Sequence, residues 1–254
     1  MSILFNEQTR TFHLYNDSIS YIMTVLPGGQ MAQLYFGKHI HHSEAFSHLL
    51  EFASRPMTSY LYDDDCNYTL EHIKQEYGVY GSTDYRDPAV EVLQKDGSRI
   101  SDFQYQSHTI AKGKPKLAGL PATYTENDTE AETLTLILND PVSGLTLKLL
   151  YTIFAEGGII TRSAAFINEG TDDLHLTKAM SICMDLPDCN YEFIHFSGAW
   201  GRERYLKTRK LEQGIQSIGS VRGHSSHNHN PFVILKRPET TEFQGEAIGF
   251  SLVY

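Results

Sequence analysis

The stretch that decides the fold class is residues 133–151, which reads TLTLILNDPVSGLTLKLLY. Apolar and polar side chains alternate over 133–138 and again over 145–151, and an Asn-, Pro- and Gly-containing segment separates the two runs. A period of two places alternate side chains on opposite faces of a β-strand. The stretch therefore predicts an antiparallel strand pair with one buried face.

Working outward from this pair, shorter signals of the same kind occur on both sides of it. We predict a meander of strands over 11–14, 20–25 and 32–36, and further strands over 89–94, 159–167, 174–186 and 246–254. Asp96-Gly97-Ser98 predicts a hairpin that returns over 100–110, and 68–77 predicts a short helical segment. No helical period persists beyond about three turns. The predicted class is all-β, with two stacked antiparallel sheets.

Composition restricts the partners and the compartment. A formal net charge of −10, without clustered Lys and Arg, argues against nucleic acid as the main partner. The N-terminus carries no secretory signal pattern, and no apolar run is long enough for a membrane helix. Cys66, Cys183 and Cys189 have no framework spacing and are predicted to be reduced thiols. We therefore expect a cytoplasmic protein that does not engage membranes.

The only tryptophan lies between small residues and beside two arginines and a glutamate, in the stretch 198–205. An indole can cover the apolar face of a sugar ring while guanidinium and carboxylate groups bond its hydroxyls. The same residues are also compatible with a buried core tryptophan beside an ordinary surface ion network. The stretch alone leaves both interpretations open.

Three other clusters contain residue types that can carry chemistry, but none has the pattern of a catalytic, metal or cofactor site. The three histidines within 224–229 lack paired cysteines, so a loop that lines a surface cleft is favoured over zinc. His39, His41 and His42 indicate a solvated loop. Residues 63–65 are three aspartates without the glycine and alternating ligands of a calcium loop, which indicates a solvated, partner-facing segment.

Taken together, the ordered motifs of the chain resemble the N-terminal domain of a family 36 α-galactosidase of the bacterial, tetrameric kind. The resemblance covers nearly all 254 residues. It rests on FHL at 12–14 with SY at 20–21, QEY at 75–77, GSTDYR at 81–86, GKPKLAGLPATY at 113–124, ETL at 132–134, RS at 162–163, GAWGRER at 198–204, RGHSSH at 222–227 and NPF at 230–232.

This resemblance implies a galactose mutarotase-like β-supersandwich as a single domain over 1–254, followed by a catalytic (β/α)8 barrel beyond residue 254. The chain ends inside a strand pattern, which also suggests a fragment of a longer protein. In the family, two barrel aspartates remove terminal α-galactosyl units of melibiose or raffinose type with retention. The resemblance thus implies a non-catalytic domain that lines the sugar pocket and supports a homo-oligomer, a tetramer at full length.

The same resemblance brings Trp200 to the sugar pocket and extends the loop around 54–67 towards a neighbouring active site. Some relatives have an arginine where Cys66 stands, so Arg55 or Asp65 is the expected substitute for a sugar contact. Two alternative functions stay open: a free-standing sugar-binding β-sandwich, and a mutarotase-like enzyme that uses a His and a Glu for proton transfer.

Overall fold

A computed structural model describes residues 1–51, 65, 68–119, 121–224 and 228–253. In these residues the regular structure is strand, apart from two single 3-10 turns at Ser47–Leu49 and Leu70–His72. The strands in chain order are β1 (Ser2–Asn6), β2 (Thr11–Tyr15), β3 (Ile19–Val25), β4 (Met31–Lys38), β5 (Val90–Leu93), β6 (Gln104–Lys112), β7 (Ala131–Asn139), β8 (Leu145–Phe154), β9 (Ile160–Asn168), β10 (His175–Ala179), β11 (Glu192–Ala199), β12 (Arg202–Lys210), β13 (His229–Lys236) and β14 (Ala247–Ser251). The predicted all-β class is confirmed.

The chain divides into two compact units. The first comprises Met1–Lys116 with Tyr124–Asp185, and the second comprises Leu117–Thr123 with Leu186–Tyr254. The single domain predicted over 1–254, and the barrel predicted beyond it, stay predictions.

The first unit is built on two four-stranded antiparallel sheets, in the orders β1-β2-β3-β4 and β6-β7-β8-β9. The opening stretch forms the β7–β8 hairpin, in which Leu134 pairs with Tyr151 and Asn139 with Thr146. One hydrophobic core draws buried side chains from both sheets, among them Phe12, Leu14, Leu134 and Leu147. The alternation in the sequence therefore buries one face of each sheet against the other, as predicted.

A charged network lies inside this apolar core. The Glu76 side chain is wholly buried, and Tyr21 and Tyr151 donate their hydroxyls to its two oxygens over 2.7 and 2.6 Å. The Arg162 guanidinium lies 3.3 Å from the Glu76 carboxylate and also donates to the Cys183 carbonyl over 2.8 Å. A buried charge is tolerated when it is paired and its hydrogen bonds are satisfied, as they are in this network.

Two local predictions in the first unit are wrong because long-range pairing overrides them. The strand β5 does not pair with residues 100–110; it pairs with β10, and β6 pairs with β7. The segment 68–77 forms only the 3-10 turn Leu70–His72. Helix cannot continue because Gln33 donates its backbone N–H to the Lys74 carbonyl and Glu76 donates to Met31, which makes this segment an extended neighbour of β4.

The strand predicted over 174–186 is too long, since β10 ends at Ala179. After that residue the backbone bonds to other segments: Met180 donates its N–H to Ala89, and the Met180 carbonyl accepts the Tyr77 hydroxyl over 2.6 Å. The chain therefore leaves the sheet after Ala179, whereas the sequence pattern alone predicts that the strand continues.

The second unit is one antiparallel sheet in the order β12-β11-β13-β14. Its central pair is β11 and β13, and its two edges are β12 and β14. Buried apolar side chains of this unit in the described residues are Tyr191, Phe193 and Ile194. The sheet positions the stretch that contains the tryptophan, because that stretch forms the hairpin between β11 and β12.

Candidate functional site

Trp200 lies at the tip of the β11–β12 hairpin. Ala199 pairs with Arg202, so that Trp200 and Gly201 form a two-residue turn. The side chain of Trp200 is 88% exposed. Of the two interpretations that the sequence leaves open, the buried core tryptophan is therefore wrong.

The turn itself requires glycine at its second position. Gly201 has a φ of +74°, a backbone conformation that L-residues rarely adopt, and Trp200 does not share it. This combination is that of a type II turn. The Gly201 N–H donates to Glu203 Oε1 over 2.7 Å. The carboxylate of this β12 residue therefore bonds back to the backbone of the turn.

A β-bulge lies one step below the tip. Ser197 pairs with Tyr205 and Ala199 with Arg202, so that Gly198 faces two residues of β12. Arg204 has a φ of +57°, which is rare for a residue with a side chain. A Cβ at Gly198 would collide with the Arg202 carbonyl oxygen and lie 3.0 Å from the Arg204 nitrogen. The bulge therefore depends on glycine at position 198.

An open cleft of about 530 Å³ lies beside the hairpin, within the second unit. Its lining consists of Ser197, Gly198, Ala199, Arg202, Tyr205, Lys207, Asn228 and His229. These residues contribute hydroxyl, amide, imidazole and cationic groups and no carboxylate. Such a lining offers mostly hydrogen-bond donors, which suits the oxygen-rich surface of a sugar.

The sheet aligns these groups through its register. Tyr205 lies opposite Ser197, and Lys207 lies opposite His195, a residue that is not among those of the cleft lining, so the four side chains share one face. Partial burial, then the positive charge of Arg209, lowers the pKa of His195. A histidine with a lowered pKa stays neutral at neutral pH and can accept or donate a hydrogen bond there.

The other predicted sugar contacts lie mostly outside the described residues. Arg55, Cys66 and the loop around 54–67 fall there, apart from Asp65. Asp65 is partly buried, and its charge, second to burial, raises the pKa of Tyr68. Asp65 belongs to the first unit, and its predicted sugar contact stays a prediction.

The histidine-rich stretches give mixed outcomes. Asn228 and His229 line the cleft, as the cleft-lining interpretation of 224–229 predicts, while 225–227 lie outside the described residues. The solvated-loop interpretation of 39–42 is confirmed for His41 and His42, which are exposed, while His39 is partly buried; His42 Nδ1 also lies 3.1 Å from Nδ1 of the buried His13. Sequence reasoning missed this contact because His13 gave no signal beyond its place in a predicted strand.

Within the described part of the chain, no group of three His, Cys, Asp or Glu side chains is arranged to hold a metal ion. Of the cysteines, Cys183 and Cys189 are free thiols, as predicted. None of the helices in the described residues is long and apolar enough to cross a membrane.

The model of the glycosyl hydrolase family 36 N-terminal domain matches residues 29–254. The chain belongs to this family. The resemblance drawn from the motifs is thereby confirmed, and Trp200, Glu203 and the cleft all lie within the matched residues.

Two relatives of this family 36 domain match it in sequence over 99% or more of its length. The chain is 43% identical over 258 residues to the alpha-galactosidase AgaA of Geobacillus stearothermophilus, covering all of this chain and 35% of that protein. It is 39% identical to alpha-galactosidase 1 of Pediococcus pentosaceus, covering 99% of this chain and 34% of that protein. The chain therefore spans about a third of the length of the curated relatives it matches.

Solved structures agree with this assignment. The alpha-galactosidase of Lactobacillus brevis matches 99% of this chain and 34% of its own with a TM-score of 0.95 and 42% identity. The AgaB enzyme of Geobacillus stearothermophilus matches 100% of this chain and 34% of its own with a TM-score of 0.93 and 41% identity. Variants of AgaA have been solved with raffinose and with stachyose. The predicted β-supersandwich is confirmed.

Proposed function

We propose that this chain is the non-catalytic N-terminal domain of an α-galactosidase that hydrolyses terminal α-D-galactosyl residues with retention. Two relatives that match 99% or more of this chain are named alpha-galactosidases, and in each of the two the matched part is about a third of the protein. In the proposed enzyme, the reacting carboxylates belong to a catalytic barrel in the remaining two thirds. This domain lines the sugar pocket.

The observation that carries the pocket role is the exposure of Trp200. A tryptophan buries roughly 150–250 Å² when it is packed, and each Å² of apolar surface left in water costs about 25 cal/mol. Trp200 leaves 88% of its surface exposed, at a turn closed by the Glu203 carboxylate. An exposed indole on a shaped turn, beside a donor-rich cleft, suits one apolar face of a galactosyl unit.

We expect Trp200→Ala, in the polypeptide that includes the catalytic domain, to lower kcat/KM for an α-galactoside by a factor of about 5 to 150. This corresponds to about 1–3 kcal/mol, the scale of one aromatic contact in a pocket. The thermal midpoint should change little, because an exposed side chain contributes few core contacts.

Phe243→Ala is the matched control, since Phe243 is 94% exposed in the same unit and lies outside the cleft lining. It should leave kcat/KM unchanged. Equal values of kcat/KM for wild type and Trp200→Ala would refute the pocket role.

The purified chain alone should not hydrolyse an aryl α-galactoside, since the proposed nucleophile and acid/base lie in another domain. Turnover by the chain alone would refute the non-catalytic role, and polarimetry on α-galactose would detect the mutarotase-like alternative. Tight galactose binding by the chain alone, measured by calorimetry, would favour the free-standing binding module.

The proposed enzyme is a cytoplasmic homo-oligomer, a tetramer at full length, in which this domain contributes to assembly. The motifs that resemble the tetrameric bacterial enzymes support this part of the proposal. Sedimentation velocity of the complete polypeptide should give the mass of four subunits, and a monomer at micromolar concentration would refute the assembly.

A further inference from the structure

The tip of the β11–β12 hairpin is shaped by a side chain as well as by its glycines. We propose that Glu203 is a positioning residue that holds the Cα–Cβ bond of Trp200 in one direction, so that the indole projects towards the sugar. The inference rests on the proposed function, because it assumes that Trp200 contacts a galactosyl unit. It assigns no catalytic step to Glu203.

The argument starts from the peptide unit between Trp200 and Gly201. That unit is planar, so one hydrogen bond to its N–H fixes its rotation about the bond to the Trp200 Cα. The Gly201 N–H donates to Glu203 Oε1 over 2.7 Å, within the short range of hydrogen bonds to ionised acceptors. The direction in which Trp200 projects its side chain follows from that rotation.

The bulge puts Glu203 in position to make this bond. Because Gly198 faces both Glu203 and Arg204, the β12 strand carries one residue more than its partner between the paired positions. Arg204 adopts a φ of +57°, a conformation that is strained for a residue with a Cβ. Strain of this kind persists where the surroundings hold it, and it concentrates at functional sites.

Trp200 is too exposed for packing to take over the role of the Glu203 carboxylate. Trp200 is 88% exposed, so packing does not set the direction in which its side chain leaves the turn, and the backbone of the turn has to do so. Glycine at 201 permits the turn but also enlarges the conformational freedom of the tip. An acceptor that fixes the Gly201 amide removes that freedom before the sugar arrives, and preorganisation of this kind strengthens binding.

The first readout is independent of sugar. Amide hydrogen exchange of Gly201, followed by NMR in the purified chain, should accelerate about tenfold or more in Glu203→Ala, because the acceptor is lost. Glu203→Gln keeps a carbonyl oxygen as acceptor and should restore most of the protection. Glu242→Ala, which removes another carboxylate from the same unit, should leave the Gly201 exchange rate unchanged.

The second readout is kinetic and uses the polypeptide that includes the catalytic domain. Glu203→Ala should raise KM for an α-galactoside about three- to tenfold with kcat within about twofold of wild type, and Glu203→Gln should restore KM. If Glu203 acted only in folding, Glu203→Ala would lower the thermal midpoint. Glu203→Gln would then not restore KM without also restoring that midpoint.

The outcomes separate the two proposals. If Trp200→Ala impairs the enzyme while Glu203→Ala matches wild type in Gly201 exchange or in KM, the positioning role is overturned and the pocket role stands. If Trp200→Ala has no effect on kcat/KM, the pocket role fails, and the positioning role towards sugar fails with it. Faster exchange with a glutamine-rescued rise in KM supports both.

Discussion

At the scale of single residues, the buried charge of Glu76 depends on Arg162. The guanidinium contacts the Glu76 carboxylate and backbone, and it lies over the Tyr151 ring at 4.5 Å from the centroid. Burial, followed by the nearby Glu76, raises the pKa of Tyr21 well above its usual value. The tyrosines therefore stay protonated and donate to the carboxylate, while Arg162 supplies the compensating charge.

We expect Arg162→Met to reduce the free energy of unfolding by about 3–5 kcal/mol. The substitution fills similar space but leaves a buried carboxylate without its cation, which costs far more than the loss of a surface pair. Urea denaturation followed by far-UV circular dichroism measures the change.

Arg99→Met is the matched control, because Arg99 pairs with Glu91 over 3.5 Å at the protein surface. Exposed pairs contribute about 0–1 kcal/mol, so its denaturation midpoint should scarcely move. A similar small effect from Arg162→Met would mean that the Tyr21 and Tyr151 hydroxyls alone sustain the buried charge.

At the scale of elements, a histidine pair joins β2 to the segment that follows β4. His13 on β2 is buried and contacts Ser20 Oγ through Nε2 over 3.0 Å and His42 Nδ1 through Nδ1 over 3.1 Å. Ser20 also accepts the Ile40 N–H over 3.0 Å. Burial, then the neighbouring His42 and His39, lowers the pKa of His13 from 6.5 to about 4.

The chain should therefore lose stability as pH falls from about 6.5 to 4. In this window the unfolded chain binds a proton at His13 and the folded chain does not, so acidification favours unfolding. The shift from 6.5 to about 4 corresponds to at most about 3 kcal/mol from this group at 1.36 kcal/mol per unit, because solvent screening reduces it. Urea midpoints measured between pH 7.5 and 4 give the slope.

His13→Gln should flatten this slope, since glutamine does not titrate. His175→Gln, a substitution at an exposed position of β10, should leave the slope as in wild type. An unchanged slope in His13→Gln would show that other groups cause the acid sensitivity.

At the scale of the whole molecule, the two units have unequal cores. In the described residues, the first unit buries side chains from both of its four-stranded sheets, whereas the second unit buries Tyr191, Phe193 and Ile194. Every residue of β12 is exposed. Local stability follows the density of buried apolar contacts.

We expect amides of β12 and β14 to exchange with solvent at least roughly tenfold faster than those of β7 and β8, a difference of about 1.4 kcal/mol or more in opening free energy. Hydrogen–deuterium exchange of the purified chain, read by mass spectrometry or NMR, checks this. Equal protection of β12 and β8 would contradict the prediction.

The sequence predicted the strands whose pattern is local. The runs 133–138 and 145–151 correspond to β7 and β8, and the meander corresponds to β2, β3 and β4. It placed β5 in the wrong hairpin, and it treated 68–77 as helical, because neither segment carries a signal for its true partner. Those partners, β10 and β4, are distant in sequence, and only backbone hydrogen bonding in the folded chain selects them.

The candidate site likewise has features that the sequence predicted and features that it did not. Trp200, Arg202 and Glu203 were visible in the sequence as a group, and so was the cleft-lining role of the stretch near His229. The contact of His13 with His42 was not visible, nor was the contribution of Tyr205 and Lys207 to the cleft. Cross-strand register places these residues together, and register is a property of the assembled sheet.

The sequence by itself determined the antiparallel β class, the family and the residue types at the hairpin tip, because side-chain period, motif order and glycine placement are all local properties of the chain. Only the tertiary structure decided that Trp200 is exposed, that a bulge at Gly198 aligns Glu203 with the Gly201 amide, and that a carboxylate closes the turn. Burial and register depend on which strands meet, and that depends on contacts between residues far apart in the chain.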